Sequence, residues 1–406
     1  IHHGTYNHDM WWWNSRGYSS ASVEAWNSIR ALDYLETLDF VDKNRFGVTG
    51  RSGGGAYSWW ISVLDERIKV SAPVAGITSL KNHVYAGFQN SGRLAHGVVE
   101  GHCDSMFHVN TYRWDFDHIA ALVAPRPLMI LNTDDDRIFP LDGVTDVFNG
   151  VRRIYDLHGQ RNKLGLTIVP GGHSDTQPLQ VPAFNWFNRH LKGEEGPITV
   201  AAVKLFEPEQ LKVFNELPAD SINADIQETF TQLADDKSKP SQKTVELLRA
   251  KTFRGWPAKE NSLNAKRAFS TEYEGVVFEA IDFDSQEHIR LRAYIAYRKG
   301  LEKPSRVDVE VLNEEYWNKY LKLGRPAFAD VWGEELKLAK IKADAPVTDK
   351  EQQAIEKRMA GVRKGDVVFV AFMPRGFGLS AMTQDERHIT HSRRRFMLLG
   401  QTLAGM

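Results

Sequence analysis

The chain has 406 residues, 42% hydrophobic and 25% charged, with a formal net charge of −1. That length supports two domains or more and a sizeable core. The near-neutral charge argues against a nucleic-acid or polybasic membrane surface, no apolar run approaches the ~18 residues of a membrane span, and a single cysteine, Cys103, excludes an internal disulfide.

The single cysteine suits a reducing compartment and a disulfide-free secreted protein equally. The sequence starts at Ile1 without a signal-peptide pattern. It stops at Met406 inside an apolar, helix-like run, "RRRFMLLGQTLAGM", that carries no stop signal. It reads as a piece of a longer protein, which leaves localisation open.

In chain order, residues 20–38 predict a helix, because Ala25, Ile29, Leu32 and Leu35 recur at spacings of three and four. "RFGVTG" (45–50) predicts a short buried strand, and a helix follows to about Asp65. Further strands are expected at "IKVSAPVAG" (68–76), "PLMILNT" (127–133) and "LGLTIVPGG" (164–172). Helices are expected over "GVTDVFNGVRRIYDLHG" and "VPAFNWFNRHLKG". Strands alternating with helices imply an α/β fold with a parallel sheet covered on both faces. Residues 194–265 turn polar, with "DDKSKPSQK" and helical patches such as "SQKTVELLRAK", and read as a helical linker. Beyond about 266, "YEGVVFEAIDF", "HIRLRAYIAYR", "RVDVEVL" and "GDVVFVAF" read as further strands.

Between the first strand and its helix stands Gly50-Arg51-Ser52-Gly53-Gly54. G-x-S-x-G in a strand–turn–helix context is the nucleophile elbow: a sharp turn pushes the serine hydroxyl clear of the sheet and puts a helix N-terminus behind it. Glycines two residues to either side are expected to avoid collision with strand and helix. The Gly53 N–H is the candidate oxyanion donor. A serine nucleophile needs an acid and then a base downstream. "LNTDDDRIFP" ends the third strand with Asp134, Asp135 and Asp136, and "VPGGHSDT" ends the fourth with His173. All three motifs fall on the sheet edge where open α/β sheets bind ligands.

On these residues the sequence resembles the α/β-hydrolase superfamily over 1–193. "GRSGGG", "APRPLMILNTDDDRIFP" and "GGHSD" are similar to its acetyl xylan esterase and dienelactone hydrolase-like branch. The resemblance implies a Ser52–Asp136–His173 triad. Its acid usually precedes a D-x-x-x-P segment, which favours Asp136, four residues before Pro140, over Asp134 and Asp135; a β-bulge would change which carboxylate faces inward. The second oxyanion donor of the family comes from a loop after the third strand of the whole fold, which this sequence does not contain ahead of its first strand. No cofactor or metal is implied.

Weaker signals surround these motifs. "HHGTYNHDMWWW" holds His2, His3 and His8 beside a tryptophan triplet: a sugar-stacking platform, a metal site, or aromatics packed over the sheet edge. "EGHCDSMFHVNTYRWDF" offers His102, Cys103, Asp104 and His108, whose irregular spacing suits a pocket wall better than zinc. Arg51 is a candidate contact for an acidic substrate group.

The second half has its own resemblance. Strands at 272–283, 287–297, 306–312 and 366–372, followed by "PRGFGLS", look like the opening of a second α/β hydrolase, and "SRRRFMLLGQTLAGM" stands where the first helix stands in the first half. The expected domains are 1–193, the hydrolase part lacking its first strands; 194–265, the linker; and 266–406, the start of a second hydrolase-like domain. Either 306–312 pairs with 45–50 in a circularly permuted sheet or the two sheets are separate. Separate sheets are the expectation, with an open edge at 45–50. The position of the oxyanion loop in the second half, "LNEEYW", carries Glu314 and Glu315, which would repel a developing oxyanion.

The resemblance implies a serine carboxylesterase of the acetyl xylan esterase type acting on a carbohydrate or other small ester. Such an enzyme is periplasmic or secreted if its substrate is a polysaccharide. A serine peptidase of the prolyl oligopeptidase type shares fold and triad order, although no β-propeller repeat is visible. A non-catalytic carbohydrate-binding or scaffolding module with a relic triad is the alternative outside enzymes. Nucleic-acid and membrane partners are not expected, and the oligomeric state is open.

Overall fold

The computed structural model describes residues 10, 12–84, 110–201, 204–222, 225–232, 239–257, 262–381 and 395–401. His2, His3, His8, His102, Cys103, Asp104 and His108 lie outside them. The chain divides into two compact units, Ile1–Gly255 with Arg387–Gly405, and Trp256–Glu386.

The first unit is built on a parallel sheet of order β1-β2-β3-β4, formed by Phe46–Arg51, Ile68–Val74, Leu128–Thr133 and Leu164–Val169. Each strand is a short run rich in apolar residues, and the helices between them return the chain to the starting edge. Helix α1 (Ser20–Leu35) begins with a capping box in which Ser19 and Ser22 satisfy each other's backbone N–H. Its Leu32 packs with Phe46, Ile61 and Ile68 on one face of the sheet. Helix α2 (Gly53–Leu64) follows β1, α3 (Phe116–Ala120) precedes β3, α4 (Leu141–Leu157) follows β3, and α5 (Gln177–Phe187) follows β4. Val144, Val147, Val151 and Tyr155 form the buried stripe of α4. They join Trp59, Phe116, Leu128, Ile130 and Leu131 in the main core.

Among the described residues strand β1 ends the sheet, paired to β2 alone. Strand 306–312, the alternative neighbour considered above, forms β8 (Arg306–Val311) and pairs in parallel with β9 (Val367–Phe372). The second sheet has the order β5-β6-β7-β9-β8, with β5 (Lys266–Tyr273), β6 (Val276–Gln286) and β7 (Ile289–Arg298) antiparallel. Glu274 and Gly275 take φ values of 43° and 75° and turn β5 into β6. The single strand expected across 272–283 is therefore a hairpin. Helices α6 (Glu314–Phe328), α7 (Gly333–Leu338) and α8 (Asp349–Arg363) complete this unit. "LNEEYW" is the start of α6 rather than a loop: Asn313 caps it by accepting the Tyr316 N–H, and Glu314 and Glu315 sit in its first turn, where the helix dipole favours acid.

Two expectations on domain limits need correction. Among its described residues the segment 194–265 holds only short helical pieces, and part of it belongs to the first unit. Trp13 Nε1 donates to the Gln227 carbonyl, Arg16 donates to the Thr231 carbonyl and hydroxyl, and Phe230 packs edge-on to Trp13. Buried donors on 13–16 need acceptors, and 227–231 supplies them. Likewise the described part of the C-terminal run belongs to the first unit. Met397 and Leu398 offer their carbonyls to Asn110, and Leu398 is fully buried.

Candidate active site

Ser52 sits between β1 and α2 with φ 58° and ψ −116°. This is a strained conformation for a residue with a Cβ, and neighbouring contacts hold it. The Ser52 N–H donates to the Val74 carbonyl (3.0 Å), and its own carbonyl accepts from Ala56 (2.9 Å). The Gly53 N–H lies in the first turn of α2, where no intrahelical acceptor exists. Arg51 is exposed beside it. Among the described residues, Ser52 Oγ makes no hydrogen bond; bonds of this kind are often long without ligand.

The glycines divide their tasks differently from the expectation. A Cβ on Gly50 would lie 2.7 Å from Gly54 backbone, so this position needs glycine. A Cβ on Gly54 would meet open space, whereas one on Gly55 would lie 2.3 Å from the Val74 carbonyl oxygen. Gly76, just past β2, is Gly55's counterpart: its Cβ would lie 2.3 Å from Gly55 backbone. The third glycine of "SGGG" and the glycine of "VAG" therefore let α2 touch the end of β2. Sequence reasoning passed over both.

The acid loop and the base loop are tied together by backbone and side chains. Asp134 N–H donates to Val169 and Asp135 N–H to Gly171, both at 3.0 Å. The Asp134 carboxylate accepts the Gly171 N–H (2.9 Å), and Thr133 Oγ1 donates to the Gly172 carbonyl (3.1 Å). Asn132 Nδ2 reaches across the acid loop to the Phe139 carbonyl (2.9 Å). Asp135 is exposed.

Asp136 is fully buried. Its Oδ1 accepts the N–H groups of Ile138 (2.8 Å) and Phe139 (3.0 Å), and its Oδ2 lies 2.9 Å from His173 Nδ1. The contact suits the imidazole tautomer in which Nδ1–H donates a hydrogen bond to the carboxylate and Nε2 carries the free lone pair. The ring stacks on Phe139 with centroids 5.8 Å apart, and the side chain is 20% exposed. Of the three candidate acids, then, the structure brings only Asp136 against His173, while Asp134 braces the loop that carries the histidine. Ser52, Asp136 and His173 follow the C-terminal ends of β1, β3 and β4, which parallel pairing through β2 puts on one edge.

The N-terminal tryptophans stand differently: Trp13 is 1% exposed and belongs to the core, not to a platform. Among the described residues no group of three or more His, Cys, Asp or Glu is arranged to hold a metal, and no helix is long and apolar enough to cross a membrane. A cavity of about 410 Å³ opens in the second unit between α6, α8 and β8–β9. Its lining is mainly apolar and includes no member of the Ser52–Asp136–His173 array.

Residues 8–159 match the family described as glucuronyl esterase, fungi, across the elbow and the acid loop. The first unit has an α/β fold, a parallel sheet with helices. The Bacillus subtilis (strain 168) protein YtaP, named as a hydrolase, is 29% identical over 168 residues, 41% of this chain and 52% of that protein. A 4-O-methyl-glucuronoyl methylesterase of Phanerochaete carnosa is 25% identical over 202 residues, 45% of this chain and 49% of the relative. The chain thus spans about half the length of the curated relatives it matches. Among solved structures, a carbohydrate esterase family 15 glucuronoyl esterase from Caldicellulosiruptor kristjansonii aligns with 47% of this chain and 55% of its own, at 21% identity and a TM-score of 0.37.

Proposed function

We propose that the first unit carries the nucleophile, acid and base of a serine carboxylic-ester hydrolase acting on carbohydrate esters. The observation that carries this reading is the Asp136–His173 pair, a buried carboxylate held by two backbone N–H groups and by the imidazole, on the edge that presents Ser52. Asp136 fixes the imidazole tautomer and stabilises the imidazolium. His173 Nε2 takes the Ser52 hydroxyl proton as Oγ bonds to the ester carbonyl carbon. The carbonyl π electrons move to oxygen, and the Gly53 N–H stabilises that oxyanion. Collapse breaks the ester C–O bond, and the leaving alkoxide takes the proton from His173. Water then releases the acid from Ser52 by the same steps in reverse order.

The family match favours an ester of a uronic acid carboxyl over the acetyl ester expected from sequence. In such a substrate the sugar lies on the acyl side, and exposed Arg51, one residue before Ser52, is the candidate contact for a neighbouring acidic group. We also read the second unit as the opening strands of a second hydrolase-like domain, on the glycine turn after β9, where Gly376 and Gly378 take φ 86° and 55°.

The test is Ser52→Ala assayed on an alkyl glucuronate ester, an acetylated xylo-oligosaccharide and a peptide amide. Loss of turnover by about 10³-fold or more on the glucuronate ester is expected, with fluorophosphonate labelling lost in parallel. Undiminished turnover by the variant moves the chemistry elsewhere, and turnover of the amide alone makes the chain a peptidase.

A further inference from the structure

We propose that Tyr112 and Trp114 form a sugar-stacking platform on the first unit, separate from the Ser52 array, that takes a ring of an acidic polysaccharide. The choice of polysaccharide rests on the reading above; the platform itself stands on geometry.

The turn that carries the two rings is built from within. Asn110 is 3% exposed. Its Nδ2 donates to the carbonyls of Trp114 (2.6 Å) and Leu398 (2.9 Å), and its Oδ1 accepts the Trp114 N–H (3.0 Å). Its backbone N–H donates to Met397 (2.8 Å). Arg113 takes φ 58° to close the turn, an unfavoured conformation that the surrounding bonds hold. Asp115 then fixes the exit, accepting N–H groups from Phe116 (2.6 Å) and from Leu80 (2.8 Å), which lies past the end of β2. Phe116 packs on Trp59 of α2. The turn therefore stands on the side of the sheet that carries the elbow.

What the turn displays is two large rings in water. Tyr112 is 64% exposed and Trp114 49%. Their centroids are 5.0 Å apart and their planes 17° from parallel. The neighbouring core place is already filled by Phe116, so these rings are not spare core. Stacking covers one face of each. The Lys251 ammonium lies 4.6 Å from the Tyr112 centroid, which leaves the outer face of the indole for a ligand. Such a face suits the C–H side of a pyranose ring. The same turn gathers three cations: Lys251 over Tyr112, exposed Arg113, and Arg254, whose guanidinium donates to the Thr111 carbonyl. An exposed indole on a turn that gathers cations favours a sugar that carries a carboxylate. A nucleic-acid strand would use similar groups, but the net charge of −1 disfavours a polyanion with a phosphate at every residue.

The experiment is affinity electrophoresis of the full chain in gels containing soluble 4-O-methylglucuronoxylan, dextran or polyadenylate. Retardation by the glucuronoxylan alone is expected. Trp114→Ala weakens it about three- to tenfold, Trp114→Phe restores most of it, and added salt lowers it. Near-UV circular dichroism checks that each variant folds, and the KM for polymeric ester rises in Trp114→Ala. The proposal is overturned if the wild type is not retarded by glucuronoxylan, if polyadenylate retards it instead, or if Trp114→Ala migrates as wild type. Fluorophosphonate labelling of Ser52 reads the esterase separately: labelling without a Trp114 effect sinks the platform alone, and a Trp114 effect without labelling sinks the esterase alone.

Discussion

At the elbow the first unit brings backbone against backbone; between sheet and helices the second unit packs rings. Gly55 of α2 and Gly76 past β2 touch with no side chain between them. In the second unit Phe278 stacks on Phe328 at 4.2 Å, Trp332 meets both edge-on or obliquely, and Tyr294 closes the group. Backbone contact fixes where α2 starts and so where Ser52 projects, leaving the hydroxyl clear. Ring packing buries apolar area, and in this unit it surrounds an ion pair. The first arrangement places a reactive group; the second places none and supplies stability.

The largest effect should come from the charge inside the ring cluster. Glu335 is 1% exposed and accepts from Arg292 Nη1 (2.9 Å) and the Tyr294 hydroxyl (2.8 Å). Arg292 also donates to Asp282 at 2.6 Å. Burial, reinforced by Glu335, pushes the Tyr294 hydroxyl pKa well above its ordinary value, so it stays a donor. Glu335→Ala strips the buried Tyr294 hydroxyl of its acceptor and the part-buried Arg292 of one of its two, and should cost about 3–5 kcal/mol in urea denaturation, with the ester turnover proposed for Ser52 retained. A loss under about 1 kcal/mol would mean that the cluster is replaceable by packing.

The next effect sets the two kinds of close approach against each other. Gly55→Ala forces a methyl against the Val74 carbonyl oxygen and the Gly76 Cα, both backbone. Gly324→Ala forces one against the Trp332 ring, with Cη2 at 2.3 Å. A ring can tilt, whereas a strand and a helix cannot part locally. Gly55→Ala should cost about 2–3 kcal/mol and Gly324→Ala about 1–2 kcal/mol. Gly54→Ala, facing open space, should stay within about 0.5 kcal/mol. If Gly54→Ala is as damaging as Gly55→Ala, the steric account of the elbow is wrong.

That pair also shows what could be read from the sequence. Strands β1–β4 were legible because each is a short apolar run that ends in glycine or a polar loop, and Ser52, Asp136 and His173 were legible because each follows such a run. Asp136 was preferred over its neighbours through the resemblance to the acetyl xylan esterase-like branch, whose acid usually stands four residues before a proline, as Asp136 does before Pro140. The Gly55–Gly76 contact was not legible, since it depends on how close α2 lies to the end of β2, a distance no local pattern encodes. The Glu274–Gly275 turn was missed because apolar residues continue on both sides of it; a glycine within a strand-like run was the available signal. Nor could composition tell that 227–231 supplies acceptors to Trp13 and Arg16, more than 200 residues earlier in the chain.

The smallest effect belongs to the first unit's own arginine cluster, whose acids are more exposed than the Glu335 that Arg292 meets. Arg67 donates to Asp33 and Glu36, each at 2.8 Å, and to Asp65 at 2.6 Å, joining α1 to the corner between α2 and β2. The Arg67 side chain is 24% exposed, so solvent screens these pairs and their worth is at most about 1 kcal/mol. The hydrogen bond from Arg67 holds the Asp65 carboxyl below the usual carboxylate range. A depressed folded pKa means that the unfolded chain binds the proton first as acid is added. The stabilisation is therefore complete above the unfolded value, about 4, and is lost as pH falls through the lower folded value. Asp65→Asn should thus be less stable than wild type by up to about 1 kcal/mol at pH 7. The gap should be unchanged at pH 6 and should close progressively below about pH 4. Urea denaturation of both proteins at pH 7, 5 and 3 reads the gap directly. A gap that persists undiminished at pH 3 would show that Asp65 acts through its turn geometry, its Oδ1 accepting the Arg67 N–H at 2.9 Å, and not through charge. The contrast with the buried pair at Arg292 would then be one of packing alone.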